Sequence, residues 1–557
     1  MQRLPIVDLS ARTPTDEVCR RMPLDACIDM RAVVYGQSDG QLLVASAKRP
    51  CARLATLLSQ YFPDTAIQHS LDSQGRIDHF LRQAYRNEVQ QRAVLTLYRN
   101  WPVYSAHSVF TRSQFLGLAL LVLGLLAGAY FAPVATGTAA VVIISMFFML
   151  SILFKFVVSL AGARAEREIA VSDEEVAALD EATLPSFTVL VPVHREEAIV
   201  HQVMHHVASV DYPKDRLEIL ILIEENDDET WNAALAAKPP EFVQLVRIPA
   251  GLPQTKPRAC NAGLVFARGE YTVIFDAEDK PDADQLKKVV LAFRKGPTEM
   301  ICVQAALNYY NARENWLTRM FTLEYSYWYD YMLPGLARLG LPIPLGGTSN
   351  HFRTDRLREL GGWDAFNVTE DADLGIRASA MGYTIGLVNS TTMEEAVTKI
   401  PNWSRQRTRW IKGYMQTALV HSRHPMRLVR AVGLKKALAF ALLIGGTPIT
   451  FLAYIPSLSI YLYWILTRSQ ALDPYFPVWV VQIGLFNLLL GNGISIYLGM
   501  LAIFKRKQYG LILYSLTHPV YWLLHARASY KALWQLFTKP FLWGKTDHGQ
   551  SKQHAER

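Results

Sequence analysis

The chain is poor in cysteine and in charge for its length. Five of its 557 residues are Cys (Cys19, Cys27, Cys51, Cys260, Cys302), with no CxxC pair and no Cys/His spacing suited to zinc. That excludes a zinc module and a disulfide framework, and the thiols read as reduced and cytoplasmic. Only 19% of residues are charged while 50% are apolar, and the mean hydropathy is +0.10. A disordered or fibrous chain is excluded, and so is a single compact core. The first thirty residues hold Asp and Glu and no continuous apolar run, so no cleavable signal peptide is expected. Charge is missing altogether from 437–467, 474–504 and 509–526, and residues 114–160 contain only Lys155. A bilayer core is about 30 Å thick, which about 20 helical residues span. The composition is that of an integral membrane protein.

What charge there is sums to +8 and gathers beside the apolar runs, in Arg405–Arg409, Arg427–Lys436 and Lys505–Lys507. Basic residues flanking spans mark the cytoplasmic side, so this excess speaks for membrane and anionic lipid rather than for nucleic acid. Runs at 115–132 and 138–160, joined by the uncharged loop 133–137 and flanked by Arg, predict a helical hairpin (115–160) with both ends in the cytoplasm. Residues 161–430 then form a cytoplasmic domain between spans. A second membrane block covers 434–526. Its run 437–467 is either one bent helix or two short ones, and 509–526 is either a span or a re-entrant segment. A basic tail, 527–557, follows. Ahead of the membrane, residues 1–110 read as a small α+β unit: a strand in 39–50, then helix-periodic stretches near 52–61 and 77–98. This unit is expected to stand apart from the chemistry.

From Phe187 apolar strand runs (187–193, 217–223, 243–249, 271–277) alternate with helical segments, which predicts a parallel α/β sheet covered on both faces. Ligands of such sheets bind at the carboxyl ends of the strands, and the acids gather there. Glu224–Asp228 follows the second run and reads as a site or as a solvated turn. Asp276-Ala277-Glu278 follows the fourth; carboxylates at i and i+2 on a strand end can hold one hard cation across a nucleotide's diphosphate. Thr369-Glu370-Asp371 offers a carboxylate to deprotonate an acceptor hydroxyl, and equally a helix N-cap box. Gln406-Arg407-Thr408-Arg409-Trp410 can pair with phosphate and stack on a sugar, or lie as a basic helix on lipid. Lys256-Pro257-Arg258 opens a helix and suits a diphosphate, with a plain turn as the alternative. Gly346–Phe352 suits acceptor-sugar contacts or a tight hairpin. The aromatic run Tyr325–Tyr331 reads as a core helix before a saccharide path.

In this order and spacing the four motifs resemble the family 2 glycosyltransferases of the cellulose synthase type, over about residues 185–425 and in the flanking spans. The resemblance implies an α/β GT-A-type (nucleotide-diphospho-sugar transferase) cytoplasmic domain inserted between transmembrane α-helices. It implies an inverting, metal-dependent hexosyltransferase of the bacterial inner membrane, with its catalytic and N-terminal parts cytoplasmic. That enzyme would move sugar from a UDP-sugar to a growing β-linked exopolysaccharide, coupled to an envelope export partner. By resemblance Asp371 is the catalytic base. Glu224, Lys256, Arg258, Asp276 and Arg409 bind the donor nucleotide, and Gln406, Trp410 and Glu370 the acceptor. Asp276 and Glu278 hold Mg²⁺ or Mn²⁺, with Glu278 standing where the family has a second Asp. Phe541–Thr546 resembles that family's gating-loop segment. Residues 1–110 resemble the N-terminal domain of type II secretion ATPases through GQLLVASAKRP and IDHFLRQAY, but lack the cyclic-dinucleotide motif of some relatives, so a docking or regulatory role is expected. Two other classes stay open: a single-transfer enzyme acting on a lipid carrier, and a degenerate enzyme kept as a receptor or secretion scaffold.

Overall fold

A computed structural model describes residues 4–14, 17–164 and 169–545. Strands β1 (Ala32–Ser38) and β2 (Gln41–Ser46) form a hairpin over Asp39-Gly40, both at positive φ, the backbone a tight two-residue turn requires. Strand β3 (Ala66–Leu71) pairs parallel to β2. The stretch expected as one helix near 77–98 is two, Gln74–Ala84 and Arg86–Asn100. They part at Tyr85, whose hydroxyl is drawn inward to donate to the Cys19 carbonyl at 3.0 Å.

The larger unit is built on β4 (Phe187–Val193), β5 (Leu217–Glu224), β6 (Val243–Ile248), β7 (Tyr271–Ile274), β8 (Lys280–Pro281), β9 (Met300–Tyr309), β10 (Asn350–Arg353) and β11 (Thr384–Glu394). Their order is β6-β5-β4-β7-β10-β9-β11-β8. The first four strands are parallel, as their apolar runs predict. The sheet as a whole is mixed, which corrects the all-parallel expectation: β10 runs antiparallel between β7 and β9, and β8 antiparallel to β11. Strand β7 stops three residues short of the apolar run because the Asp279 carboxylate accepts the Asp276 N–H at 2.7 Å and folds the chain out of the sheet. Buried apolar residues cover both faces.

Among the described residues four helices are long and apolar enough to cross a membrane: Arg112–Phe131, Pro133–Ala163, Leu434–Thr467 and Val478–Lys505. The loop expected at 133–137 is already helix. Ala132 alone joins the first pair, because Pro133 suits a helix's first position. The 437–467 run is one helix carrying a π turn at Ala441–Gly445. The 509–526 stretch is not one of these four helices; it is a 3₁₀ segment, Tyr509–Thr517, leading into the helix His518–Thr538. The second membrane helix grips the larger unit through small residues. A Cβ on Gly162 would strike the Tyr331 carbonyl, and one on Gly335 the Val158 carbonyl. At the end of the fourth, Arg506 pairs with Asp330 at 2.5 Å.

Candidate active site

The carboxyl ends of the strands and the helices Lys256–Phe266, Glu370–Ala380 and Ile400–His421 converge on a cavity of about 510 Å³. Lys256, Asp276, Glu278, Glu370, Asp371, Gln406, Arg409 and Trp410 all line it, so the structure brings together residues scattered over 155 positions of sequence. Glu224 and Arg258 are not on it. Both are buried and face one another, the guanidinium reaching Glu224 Oε1 at 2.5 Å and the Pro249 carbonyl at 2.5 Å. Burial raises the Glu224 carboxyl while Arg258 pulls it back. Paired and enclosed, these two residues expected at the donor shape the end of β5 rather than the wall of this cavity.

Lys256 forms an ion pair with Asp276 and donates to the Gly347 carbonyl at 2.7 Å. Burial lowers its ammonium's pKa, but Asp276 and Glu370 outweigh that and hold it above the usual lysine range. Around Asp276 the acids crowd. Burial, then repulsion from Asp276, raises both Glu278 and Asp279 well above the carboxylate range; Glu394 is raised by burial and by all three of those neighbours. Asp279 Oδ1 is buried without a partner. No three His, Cys, Asp or Glu side chains among the described residues form a preformed metal site. Even so, a set of buried, mutually repelling carboxylates with an unpaired oxygen fits a hard divalent cation that a diphosphate would help to ligate.

Thr369 stands at the N-cap position of the Glu370–Ala380 helix, but its side chain makes no cap bond, so the capping-box reading fails. Its N–H instead donates to Asn367 Oδ1 at 3.0 Å. Asp371 Oδ1 accepts the Ala372 N–H at 2.7 Å, and a Cβ at Gly347 would lie 3.3 Å from Oδ2, so a larger residue there would crowd that oxygen. Burial raises the Asp371 carboxyl, while the Ala372 amide, Lys256 and Arg409 oppose the rise. Its neighbour Glu370 is pushed up to about 8 by burial and by Asp371. Burial thus raises both adjacent acids, and only Asp371 has the Ala372 amide as a hydrogen-bond donor to its carboxylate.

Gln406 Oε1 is buried and unpaired. Arg409 lies 4.4 Å from the centre of the Trp543 ring, and Trp410 stacks on Tyr325 at 6.3 Å. The segment after His518–Thr538 returns to this site. Lys412 donates to the Leu542 carbonyl at 2.9 Å, and Lys545 pairs with Glu196 at 3.0 Å. Thr546, last of the expected gating-loop residues, lies outside the described residues. Sequence reasoning missed Glu394 and Glu196; Glu394 ends β11 at the same sheet edge as the motifs, but β11 itself had not been foreseen.

The N-terminal unit is not remote. Asn261 donates to the Ala93 carbonyl at 2.9 Å, and Arg86 pairs with Glu225 at 2.5 Å. The Arg86–Asn100 helix therefore packs on the back of the helix that carries Lys256. Residues 1–110 thus touch the catalytic unit, through residues that are not on the cavity wall.

The mixed sheet, its acidic carboxyl edge and the helices around it have the GT-A-type glycosyltransferase fold, set among helices long and apolar enough to cross a membrane. Residues 185–413 match the family described as "Glycosyltransferase like family 2", and that segment is a glycosyltransferase family 2 domain. The chain is 29% identical over 240 residues to the "Probable glycosyltransferase YdaM" of Bacillus subtilis, covering 42% of this chain and 57% of that protein. It is 28% identical over 378 residues to the "Beta-monoglucosyldiacylglycerol synthase" of Synechocystis sp., covering 67% of this chain and 76% of that one. The solved mannosyltransferase PcManGT from Pyrobaculum calidifontis, in complex with GDP-Man and Mn²⁺, aligns at 20% identity and a TM-score of 0.39 over 63% of this chain and 99% of its own.

Proposed function

We propose that the protein is an inverting glycosyltransferase of the bacterial inner membrane that adds sugar from a UDP-sugar to a growing β-linked saccharide and feeds it into its own membrane block, toward an export partner. The observation that carries this reading is the continuity of the cavity. The same space that holds Asp276, Asp371 and Trp410 is lined by Leu443, Tyr454 and Tyr461 of the third membrane helix. From Leu443 to Tyr461 that helix rises about 27 Å at 1.5 Å per residue, close to the about 30 Å of a bilayer core.

In this reading Asp371 Oδ2 accepts the proton of the acceptor hydroxyl as its oxygen attacks the anomeric carbon. The C–O bond to the diphosphate breaks on the opposite face, which inverts the centre to β, and UDP leaves with the bonding electrons. Lys256 and Arg409 bring positive charge to that diphosphate, and Trp410 offers a flat face to the terminal acceptor sugar. Asp276 and Glu278 would hold Mg²⁺ or Mn²⁺, which supplies charge neutralisation for the leaving diphosphate.

A second reading, one transfer to a lipid, is favoured by the similarity to the glucosyldiacylglycerol synthase. Product analysis decides between them. Purified protein in lipid nanodiscs is given a panel of radiolabelled UDP-sugars, and the product is sized and its linkage sequenced. A polymer supports the first reading, a single glycolipid the second, and no turnover with any donor supports a scaffold.

A further inference from the structure

Lys155 is the only Asp, Glu, Lys or Arg between residues 114 and 160. Ionisable residues inside spans are costly and as a rule serve a function. It sits eight residues before the end of the Pro133–Ala163 helix, about 12 Å from that end at 1.5 Å per residue. The helix has two faces. Leu150, Leu153, Val157 and Leu160 are exposed on one, where lipid would lie. Ser151, Val158, Ser159 and Gly162 are buried on the other. Lys155 belongs with the inner group and lines the cavity alongside Phe148, Ser151 and Ile152.

Its ammonium forms no ion pair and no hydrogen bond among the described residues, while its backbone carbonyl accepts from Ser159 at 2.6 Å. Snorkelling to the near membrane surface does not account for it. Helical side chains lean toward the helix N-terminus, which here is away from the catalytic unit. Two of the acids on the cavity wall are engaged elsewhere, Glu324 with Arg407 and Asp276 with Lys256, and none of the others forms an ion pair with Lys155 among the described residues. Ser159 Oγ lies 2.9 Å from the Tyr327 hydroxyl, which places this turn of the helix against the catalytic unit, at the mouth of the membrane part.

A lone cation at that mouth lacks a counter-charge that something in the cavity can supply. Resting on the polymer reading above, we infer that the saccharide entering the membrane block is acidic, and that a carboxylate it carries pairs with Lys155. Hydroxyl and amide groups further in, from Thr450, Tyr454, Ser457 and Asn487, suit the rest of a sugar chain better than an acyl chain. Asn487 Oδ1 and Thr450 Oγ1 are buried without partners.

The test uses the full chain in nanodiscs and two probes that differ only in charge, cellotetraose and its C6-carboxylated counterpart. Binding is read by the fluorescence of the cavity tryptophans Trp328, Trp410, Trp522 and Trp543. The acidic tetramer should bind about ten-fold tighter than the neutral one, and less so in high salt. Lys155→Met should abolish the preference and Lys155→Arg should keep it, with equal thermal melting confirming that both variants fold. Equal affinity of the two probes, no measurable binding of the acidic one, or a preference that survives Lys155→Met would overturn the inference. So would Lys155-dependent binding of farnesyl phosphate but not of the acidic tetramer, since the cation would then serve a lipid phosphate. Polymer formation from UDP-sugar, measured in parallel, separates the two claims: polymer made without any charge preference refutes only the acidic saccharide.

Discussion

Replacing Asp371 by Asn is the sharpest test of the site. The change is nearly isosteric, and the side-chain oxygen that accepts the Ala372 N–H can be kept, so the local fold should hold. What is lost is the oxygen beside Gly347, the one free to take a proton. General-base catalysis is worth about 10²–10⁴-fold in rate, or about 3–5 kcal/mol of transition-state stabilisation. Turnover of Asp371→Asn should fall by that range, while UDP affinity, measured by calorimetry, should change less than about three-fold, because the proton moves only in the transition state. Glu370→Gln is the companion. Since Glu370 is held mostly protonated at neutral pH, with its pKa near 8, the amide imitates its resting form. That variant should be at least about ten-fold more active than Asp371→Asn. Near-normal turnover in Asp371→Asn, or the reverse ranking of the two, would refute the assignment of the base.

Four further outcomes are expected. Raising the pH past 8 ionises Glu370 beside Asp371, so kcat/KM for the donor should decline on the alkaline side in the wild type and decline less in Glu370→Gln; parallel pH profiles would contradict this. EDTA should abolish turnover and Mn²⁺ or Mg²⁺ restore it, and Asp276→Ala should weaken metal-dependent UDP binding; activity indifferent to EDTA would remove the metal from the scheme. Deleting residues 1–100 uncovers the back of the Lys256–Phe266 helix and should lower UDP affinity several-fold in protein that still inserts; unchanged affinity would show that the packing of Asn261 on Ala93 is incidental. Trp543→Ala removes the ring beside Arg409 and should slow turnover with little effect on melting temperature, while an unaltered rate would detach that segment from the site.

The parts of the molecule that were legible in the sequence are those where one local pattern fixes one outcome. Four apolar runs became β4 to β7, and the apolar stretches 115–132, 138–160, 437–467 and 476–504 became helices long and apolar enough to cross a membrane, because each run is apolar over its whole length. Asp276 was legible because it is polar at the end of an apolar strand run, and Asp371 because it stands among the acids that open the Glu370–Ala380 helix. What escaped depended on long-range partners. Strand β10 is four residues long, and only its neighbours β7 and β9 make it a strand. The enclosure of Glu224 by Arg258 joins positions 34 apart, and neither residue's own surroundings reveal it. The packing of the N-terminal helix on the Lys256 helix is likewise a matter of matched surfaces, which composition does not record.

Arg407 stands between two residues of the terminal motif and is taken up by an ion pair. It binds Glu324 at 2.7 and 2.5 Å, reaches the Tyr521 hydroxyl at 3.3 Å, and lies 4.3 Å from the centre of the Trp410 ring. Glu324 belongs to the Trp316–Tyr327 helix and Tyr521 to the helix that follows the last span. Arg407 is buried while Glu324 is half-buried at the cavity wall, so the pair ties the three helices together from the side of the cavity. Under the proposed function its consequence is mechanical. The aromatic plate that would seat the newest sugar and the scaffold of the exit path are tied through one guanidinium, so a saccharide that advances would slide past both together. The protein would then work as a fixed die, with the step size set by the product rather than by a stroke of the Ile400–His421 helix.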